Sequence, residues 1–216
     1  MQQFFEQLVS TSLLEWVAVG LAISYLLLAI RENSWCWPAA FLSTSIYVYL
    51  FFAVSLYMES FLNFYYMAMA IYGWFQWQDL SKKTTNESST TSIVCWTIKR
   101  HGILVLTTLV MVLISTGLLK EYTDQEFALV DSFTTWFAIL ATYMVTQKVL
   151  ENWLYWIVID LVSIYLYLSK GFSLTAILFL CYVILAVSGW FNWKKRLVNS
   201  TTDQRSNRIV ANDFNA

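Results

Sequence analysis

The sequence predicts an all-α membrane protein of seven transmembrane helices, in which two parallel three-helix repeats are joined by one linking helix. Three observations predict it. Of 216 residues, 58% are hydrophobic and only 12% charged, against roughly 25% charged in ordinary soluble domains, so lipid must be the solvent for much of the chain. One proline, Pro38, and six glycines leave long unbroken apolar runs; in hydrocarbon these close their backbone hydrogen bonds as helices, whereas a barrel would alternate in segments of about ten residues. Finally, the pentapeptide GWFQW at Gly73 to Trp77 recurs as GWFNW at Gly189 to Trp193.

A window of about 19 residues gives spans at Leu13 to Ile30, Cys36 to Phe52, Met58 to Trp77, Gly102 to Leu119, Phe127 to Thr146, Asn152 to Leu168 and Phe172 to Trp193. The opening segment MQQFFEQLVS lacks the basic n-region of a cleaved signal peptide, so the first span is expected to remain as a helix. Residues Gln2 to Thr11 read as a short interfacial helix or a frayed end. Two polar stretches, Ser81 to Ser92 and Asn199 to Ala216, read as mobile aqueous segments. The organisation is therefore a first repeat over 13–78, a cytoplasmic loop over 79–101, a linking helix over 102–119, a second repeat over 127–193, and a cytoplasmic tail over 194–216.

The repeat sets this division. The two pentapeptides are 116 residues apart, and the same offset pairs Tyr66 with Tyr182, Tyr49 with Tyr165, Trp37 with Trp153 and Ala22 with Ala138. Each unit thus spans three helices, and an odd number of intervening spans gives both units the same orientation. Orientation follows from Lys and Arg, which gather in cytoplasmic loops. With the C-terminus inside, Arg31, Lys82, Lys83, Lys99, Arg100, Lys148, Lys194, Lys195, Arg196, Arg205 and Arg208 are cytoplasmic and only Lys120 and Lys170 are external, eleven of 13 against two. The acidic run Glu121, Asp124, Glu126 and Asp131 then faces outward, with the N-terminus.

Helical spacing puts polar and aromatic residues on shared faces: Trp37, Ala40, Thr44, Tyr47 and Phe51 on the second helix; Glu59, Asn63, Tyr66, Ala70, Gly73 or Trp74, and Trp77 on the third; Trp153, Trp156, Asp160, Ser163 and Tyr167 on the sixth. Such faces offer a desolvated solute hydrogen-bond partners and flat rings. Asp160 lies about eight residues from either end of its span, roughly 12 Å deep. A carboxylate there costs about 2.5–3.5 kcal/mol on insertion scales and marks a pathway, a relay or a ligand counter-ion, unless it is a protonated residue that holds the bundle together. The candidate solute-binding set is Glu59, Asn63, Tyr66, Trp74, Asn152, Trp153, Trp156, Asp160, Ser163, Tyr182 and Trp190. Glu59 has an alternative as an interfacial charge, and the tryptophans of the two pentapeptides as an aromatic belt. Gly73 and Gly189 read as close-packing points between helices. His101, beside Lys99 and Arg100, reads as a surface residue.

Enzyme chemistry has little support. There is one His, no HExxH, GxSxG or Walker sequence, and no pair of intramembrane carboxylates, so no catalytic residue or cofactor is expected and transport would be passive or ion-coupled. Cys36, Cys95 and Cys181 are isolated, which argues against a disulfide framework or a zinc site. A net charge of −1 gives no reason to expect nucleic acid.

The residues Asp131-Ser132, Lys148, Glu151-Asn152-Trp153, Trp156, Ser163 and Gly171, with Tyr72-Gly73-Trp74 and Trp77 in the first half, resemble the PnuC family of vitamin transporters. The likeness runs from Glu15 to Trp193, and KxxENWxxW is its most specific part. The resemblance implies a SWEET-like fold and facilitated diffusion of unphosphorylated nicotinamide riboside, or of thiamine in a related branch, followed by trapping by a cytoplasmic kinase. The family's nicotinamide riboside carriers often have Asn where this chain has Ala70, Asp160 and Ser188. Carboxylates at Asp160 and Glu59 suit a thiazolium and an amine-bearing pyrimidine, which favours thiamine, although nicotinamide riboside is a cation too. The competing reading is a membrane sensor or scaffold whose repeats serve only assembly. A homo-oligomer is compatible with either.

Overall fold

Residues 13–53, 57–86, 93–122, 127–169 and 173–213 are described by the computed structural model. They form seven helices: α1 (Leu13–Ile30), α2 (Cys36–Ala53), α3 (Tyr57–Asn86), α4 (Ile98–Tyr122), α5 (Ala128–Thr146), α6 (Asn152–Ser169) and α7 (Ser173–Asp213). Among the described residues the only β-type pairing is an isolated bridge between Val94 and Val149. Pro38 falls in the first turn of α2, where a missing N–H breaks no intrahelical bond.

Six of the seven are long and apolar enough to cross a membrane. The exception is α3, whose first half is diluted by Glu59, Asn63 and the tyrosines 57, 65 and 66; its 30 residues, about 45 Å of helix, still exceed a hydrocarbon core of about 30 Å. The expected aqueous stretches also differ in part. Helix α3 continues to Asn86 and α7 to Asp213, because no Gly or Pro follows Gly73 or Gly189 within those segments and a helix closes its backbone bonds as well in water as in lipid. Residues 1–12, 87–92 and 214–216 lie outside the described residues.

Packing joins α1 to α2 and α2 to α3 in the first half, and α5 to α6 and α6 to α7 in the second. The halves meet where α3 packs on α5 and α7 packs on α1, while α4 packs on α5. The 116-residue offset turns one of these cross-contacts into the other.

The turns after α1 and α5 repeat that correspondence atom by atom. Asn33 N–H donates to Leu28 C=O (2.9 Å) and Glu32 N–H to Ala29 C=O (2.9 Å); Val149 N–H donates to Met144 C=O (3.0 Å) and Lys148 N–H to Val145 C=O (3.0 Å). Both are Schellman ends, which require a residue in the left-handed region and usually take Gly. Here Glu32 (φ 55°) and Lys148 (φ 50°) occupy it, at about 1–2 kcal/mol each for a residue with a Cβ. Their two side chains point at one another, Lys148 Nζ standing 3.2 Å from Glu32 Oε2.

Gly73 and Gly189 are where helix pairs close up, as their spacing suggests. A Cβ on Gly73 would lie 2.5 Å from the Trp37 ring, and one on Gly189 2.6 Å from the Trp153 ring. Each ring packs edge-on against the last tryptophan of its own half: Trp37 on Trp77 (5.4 Å, 87°) and Trp153 on Trp193 (5.3 Å, 89°). Trp77 and Trp193 then touch each other at 6.1 Å, so four buried indoles form one layer across both halves.

Candidate functional site

Asp160 sits midway along α6 and is 3% exposed. Among the described residues no group donates a hydrogen bond to its carboxylate. Two tyrosines lie within electrostatic reach of it, Tyr66 from α3 and Tyr182 from α7, and these are mates at the 116-residue offset. The two halves of the chain therefore each bring a phenol toward one carboxylate. Tyr47 of α2 lies within electrostatic reach of Tyr182, and Glu15 of α1 within reach of Tyr47, which extends the polar line toward the start of α1. Ser163, one turn beyond Asp160, is also buried. Trp156, one turn before it, packs between the cluster around Trp37 and Trp153 and the cluster around Ala141 and Ile159.

This arrangement offers an acceptor-only carboxylate, when ionised, two amphoteric phenols and an indole face. Together they suit a flat cationic solute with hydrogen-bond donors.

The remaining sequence-derived candidates divide. Asn152 and Trp153 stand at the start of α6, about 12 Å along the helix from Asp160. Asn152 is completely buried and donates from Nδ2 to Val149 C=O (2.6 Å), stapling the α5–α6 turn, and Trp153 belongs to the indole layer. Trp74 packs edge-on to Trp35 at 5.9 Å, and its mate Trp190 lies 5.8 Å from the Lys194 ammonium. Asn63 is partly buried on α3, three residues before Tyr66. The side chain of Glu59 lies outside the described residues. The structure thus places Asp160 mid-bundle with Ser163 and Trp156 one turn to either side on α6 and Tyr66 and Tyr182 within electrostatic reach, and groups Asn152, Trp153, Trp74 and Trp190 at the end that carries the α1–α2 and α5–α6 turns. An open groove of about 350 Å³ between α3, α4 and α5, lined by Tyr65, Met69, Thr108 and Trp136, is separate from both groups.

At the turn end, Glu32 accepts from Lys148 and also from Arg196, whose Nη1 is 3.4 Å from Oε1. Lys148 Nζ further lies 4.6 Å above the Trp77 ring. Burial holds the Lys148 ammonium below the ordinary lysine pKa, with the Glu32 carboxylate opposing that shift. Sequence reasoning overlooked this pair, although the offset of 116 carries residue 32 onto residue 148 and sets opposite charges at equivalent positions. His101 is also less exposed than its charged neighbours suggest. Its Nδ1 is 2.9 Å from the Tyr155 hydroxyl, its ring stacks on Tyr155 at 5.8 Å, and its Nε2 is 3.8 Å from Glu151, so it ties α4 to α6.

A bundle of apolar helices around a buried carboxylate and aromatic hydroxyls is a multi-pass membrane protein built for a small polar solute. The family model described as nicotinamide mononucleotide transporter matches residues 12–195, and the chain belongs to that family, which includes PnuC. It is 25% identical over 174 residues to the riboflavin/roseoflavin transporter RibM of Streptomyces davaonensis, covering 80% of each chain. It is 22% identical over 196 residues to the nicotinamide riboside transporter PnuC of Escherichia coli, covering 78% of this chain and 77% of PnuC. Among solved structures, the crystal structure of the vitamin B3 transporter PnuC superposes with a TM-score of 0.68 at 19% identity, over 85% of this chain and 81% of that one.

Proposed function

We propose that this chain admits a small cationic vitamin across the bacterial inner membrane by facilitated diffusion, thiamine being the preferred solute, and that a cytoplasmic kinase traps it by phosphorylation. The observation that carries this reading is Asp160, an acidic side chain 3% exposed in mid-bundle with phenols from both halves within its electrostatic reach. A buried carboxylate is costly without a partner, and a thiazolium supplies a permanent positive charge while the aminopyrimidine supplies hydrogen-bond donors. Neutral riboflavin offers no such charge. Nicotinamide riboside, also cationic, is the second reading, supported by the PnuC relative.

The same reading arranges the molecule as two parallel three-helix repeats, α1–α3 and α5–α7, linked by α4 in a SWEET-like plan, with the N-terminus outside and the C-terminus in the cytoplasm. The recurrence of turns, indole contacts and cross-packing at the 116-residue offset supports the first point, and the division of Lys and Arg the second. Entry of a cation is assisted by an inside-negative potential, worth about 2.3 kcal/mol per 100 mV.

The test is uptake by proteoliposomes of labelled thiamine, nicotinamide riboside and riboflavin, each without ATP and with or without the matching enclosed kinase. Thiamine entry, increased by enclosed thiamine pyrophosphokinase and ATP, is expected. Entry of nicotinamide riboside with neither entry nor competition by thiamine would move the assignment to the second reading, and entry of riboflavin alone would refute the counter-ion role of Asp160.

A further inference from the structure

Two pairs of residues at the 116-residue offset meet between the halves of the chain, Trp77 and Trp193 at 6.1 Å and Glu32 and Lys148 at 3.2 Å, and a third pair, Tyr66 and Tyr182, lies within electrostatic reach of Asp160 from either half. A local two-fold axis therefore runs from the Asp160 site to the turn end. Tyr66 and Trp77 are eleven positions apart on α3, about 16 Å. A solute leaving Asp160 along this axis meets the indole layer first and the ion pair next. Both layers are shut: the four tryptophans are 0–2% exposed, and Cys36, within electrostatic reach of Lys148, is 0% exposed.

The bonds around these layers fall into two sets. Trp193 Nε1 donates to Ala29 C=O (3.1 Å), and Arg196 bonds Glu32, which ties α7 to the end of α1. Trp77 Nε1 donates to Val145 C=O (3.1 Å), and its ring faces the Lys148 ammonium, which ties α3 to the end of α5. Among the described residues, the Glu32–Lys148 pair and the Trp77–Trp193 ring contact run directly from one set to the other. When those two contacts part, Glu32 keeps Arg196 and Lys148 keeps the Trp77 face, so neither buried charge is left without a partner. That removes the main cost of breaking a buried ion pair.

We propose that this double layer is the turn-end gate of the solute path and Glu32–Lys148 its latch, and that it opens by moving α1 with α7 away from α3 with α5. The gate parts across the two sequence halves, not between them. The inference rests on the transport reading above, but its geometry can be tested apart from the identity of the solute.

Two paired-cysteine variants in a C36A/C95S/C181S background separate the alternatives. Glu32→Cys with Lys148→Cys joins the two moving bodies, whereas Glu32→Cys with Arg196→Cys joins partners within one body. With a short reducible bis-methanethiosulfonate linker, labelled thiamine or nicotinamide riboside uptake is expected to fall at least tenfold in the first and return on reduction, while the second stays within about twofold of its unlinked rate. Equal block in both, or in neither, would overturn the proposal.

Alkylation of Cys36 by N-ethylmaleimide, in C95S/C181S protein, gives a readout independent of the solute. Glu32→Gln should label at least fivefold faster than its parent at an unchanged circular-dichroism spectrum, and the exchange Glu32→Lys with Lys148→Glu should restore slow labelling. Unchanged protection of Cys36 in a folded Glu32→Gln protein would mark the pair as a fixed brace. If the parent carries neither vitamin, the transport reading fails while the Cys36 measurement still decides whether this end opens.

Discussion

Replacing Gly73 or Gly189 by Ala should destabilise the protein although Ala is the better helix former. The added Cβ at Gly73 would stand 2.5 Å from the Trp37 ring, and the one at Gly189 2.6 Å from the Trp153 ring, about 1 Å inside ordinary contact. Neither ring can yield cheaply. Trp37 is wedged on Trp77 and Trp153 on Trp193, and Trp37 and Trp153 are 2% and 1% exposed. Overpacking of this kind costs about 1–3 kcal/mol. The propensity gain is muted, because membrane helices remain largely helical when they come apart. At roughly 2–4 °C per kcal/mol for a chain of this size, each variant should melt about 2–12 °C below the parent in detergent, followed by tryptophan fluorescence. The double variant should lose less than the sum, since both rings belong to one layer. Gly20, Gly102 and Gly117 have nothing within 4 Å of an added Cβ, so their Ala variants should melt within about 1 °C of the parent. If Gly73→Ala melted like Gly117→Ala, the close-packed indole layer would be refuted.

Asp160→Asn keeps volume and some hydrogen bonding but deletes the charge, so it should insert and purify normally while binding its vitamin at least tenfold more weakly, a loss of about 1.4 kcal/mol. Normal affinity with a lowered melting point would mark Asp160 as structural and shift the site toward Asn63, Tyr66 and Tyr182. A reporter active only in the cytoplasm, fused after Leu197, should give signal, because basic residues favour that side; silence there would invert the topology.

Much of the scaffold was legible in the sequence because lipid makes one demand on every span, that it be apolar and helical. Leu13–Ile30 begins and ends where the hydropathy window sets it. The exception is instructive: α3 trades apolarity for Tyr66 and Asn63, and a helix with polar residues on one face must look less like a span than its neighbours. The windows also ended α3 and α7 too early, since hydropathy reports where lipid stops and says nothing about where backbone hydrogen bonding stops.

The grouping of the candidate site's residues was only partly legible, for a related reason. Periodicity gathers Trp153, Trp156, Asp160 and Ser163 on one face of α6, but it cannot say at what depth that face meets α3 and α7. Depth separates these residues: Asp160 and Ser163 share a level with phenols, while Trp153 serves the indole layer with Gly189 as its counterpart. The Glu32–Lys148 pair was out of reach of both pattern and propensity, because two left-handed turns are what aim those side chains at each other. Self-alignment of the chain does carry the information, since residues that coincide under the offset must lie near the axis if they touch at all. A charge reversal between such mates, Glu on one and Lys on the other, requires a change in at least one copy of the turn. Contact across the halves thus occurs both where the repeat holds in identity, at Trp77 and Trp193, and where it fails in sign while holding in position, at Glu32 and Lys148.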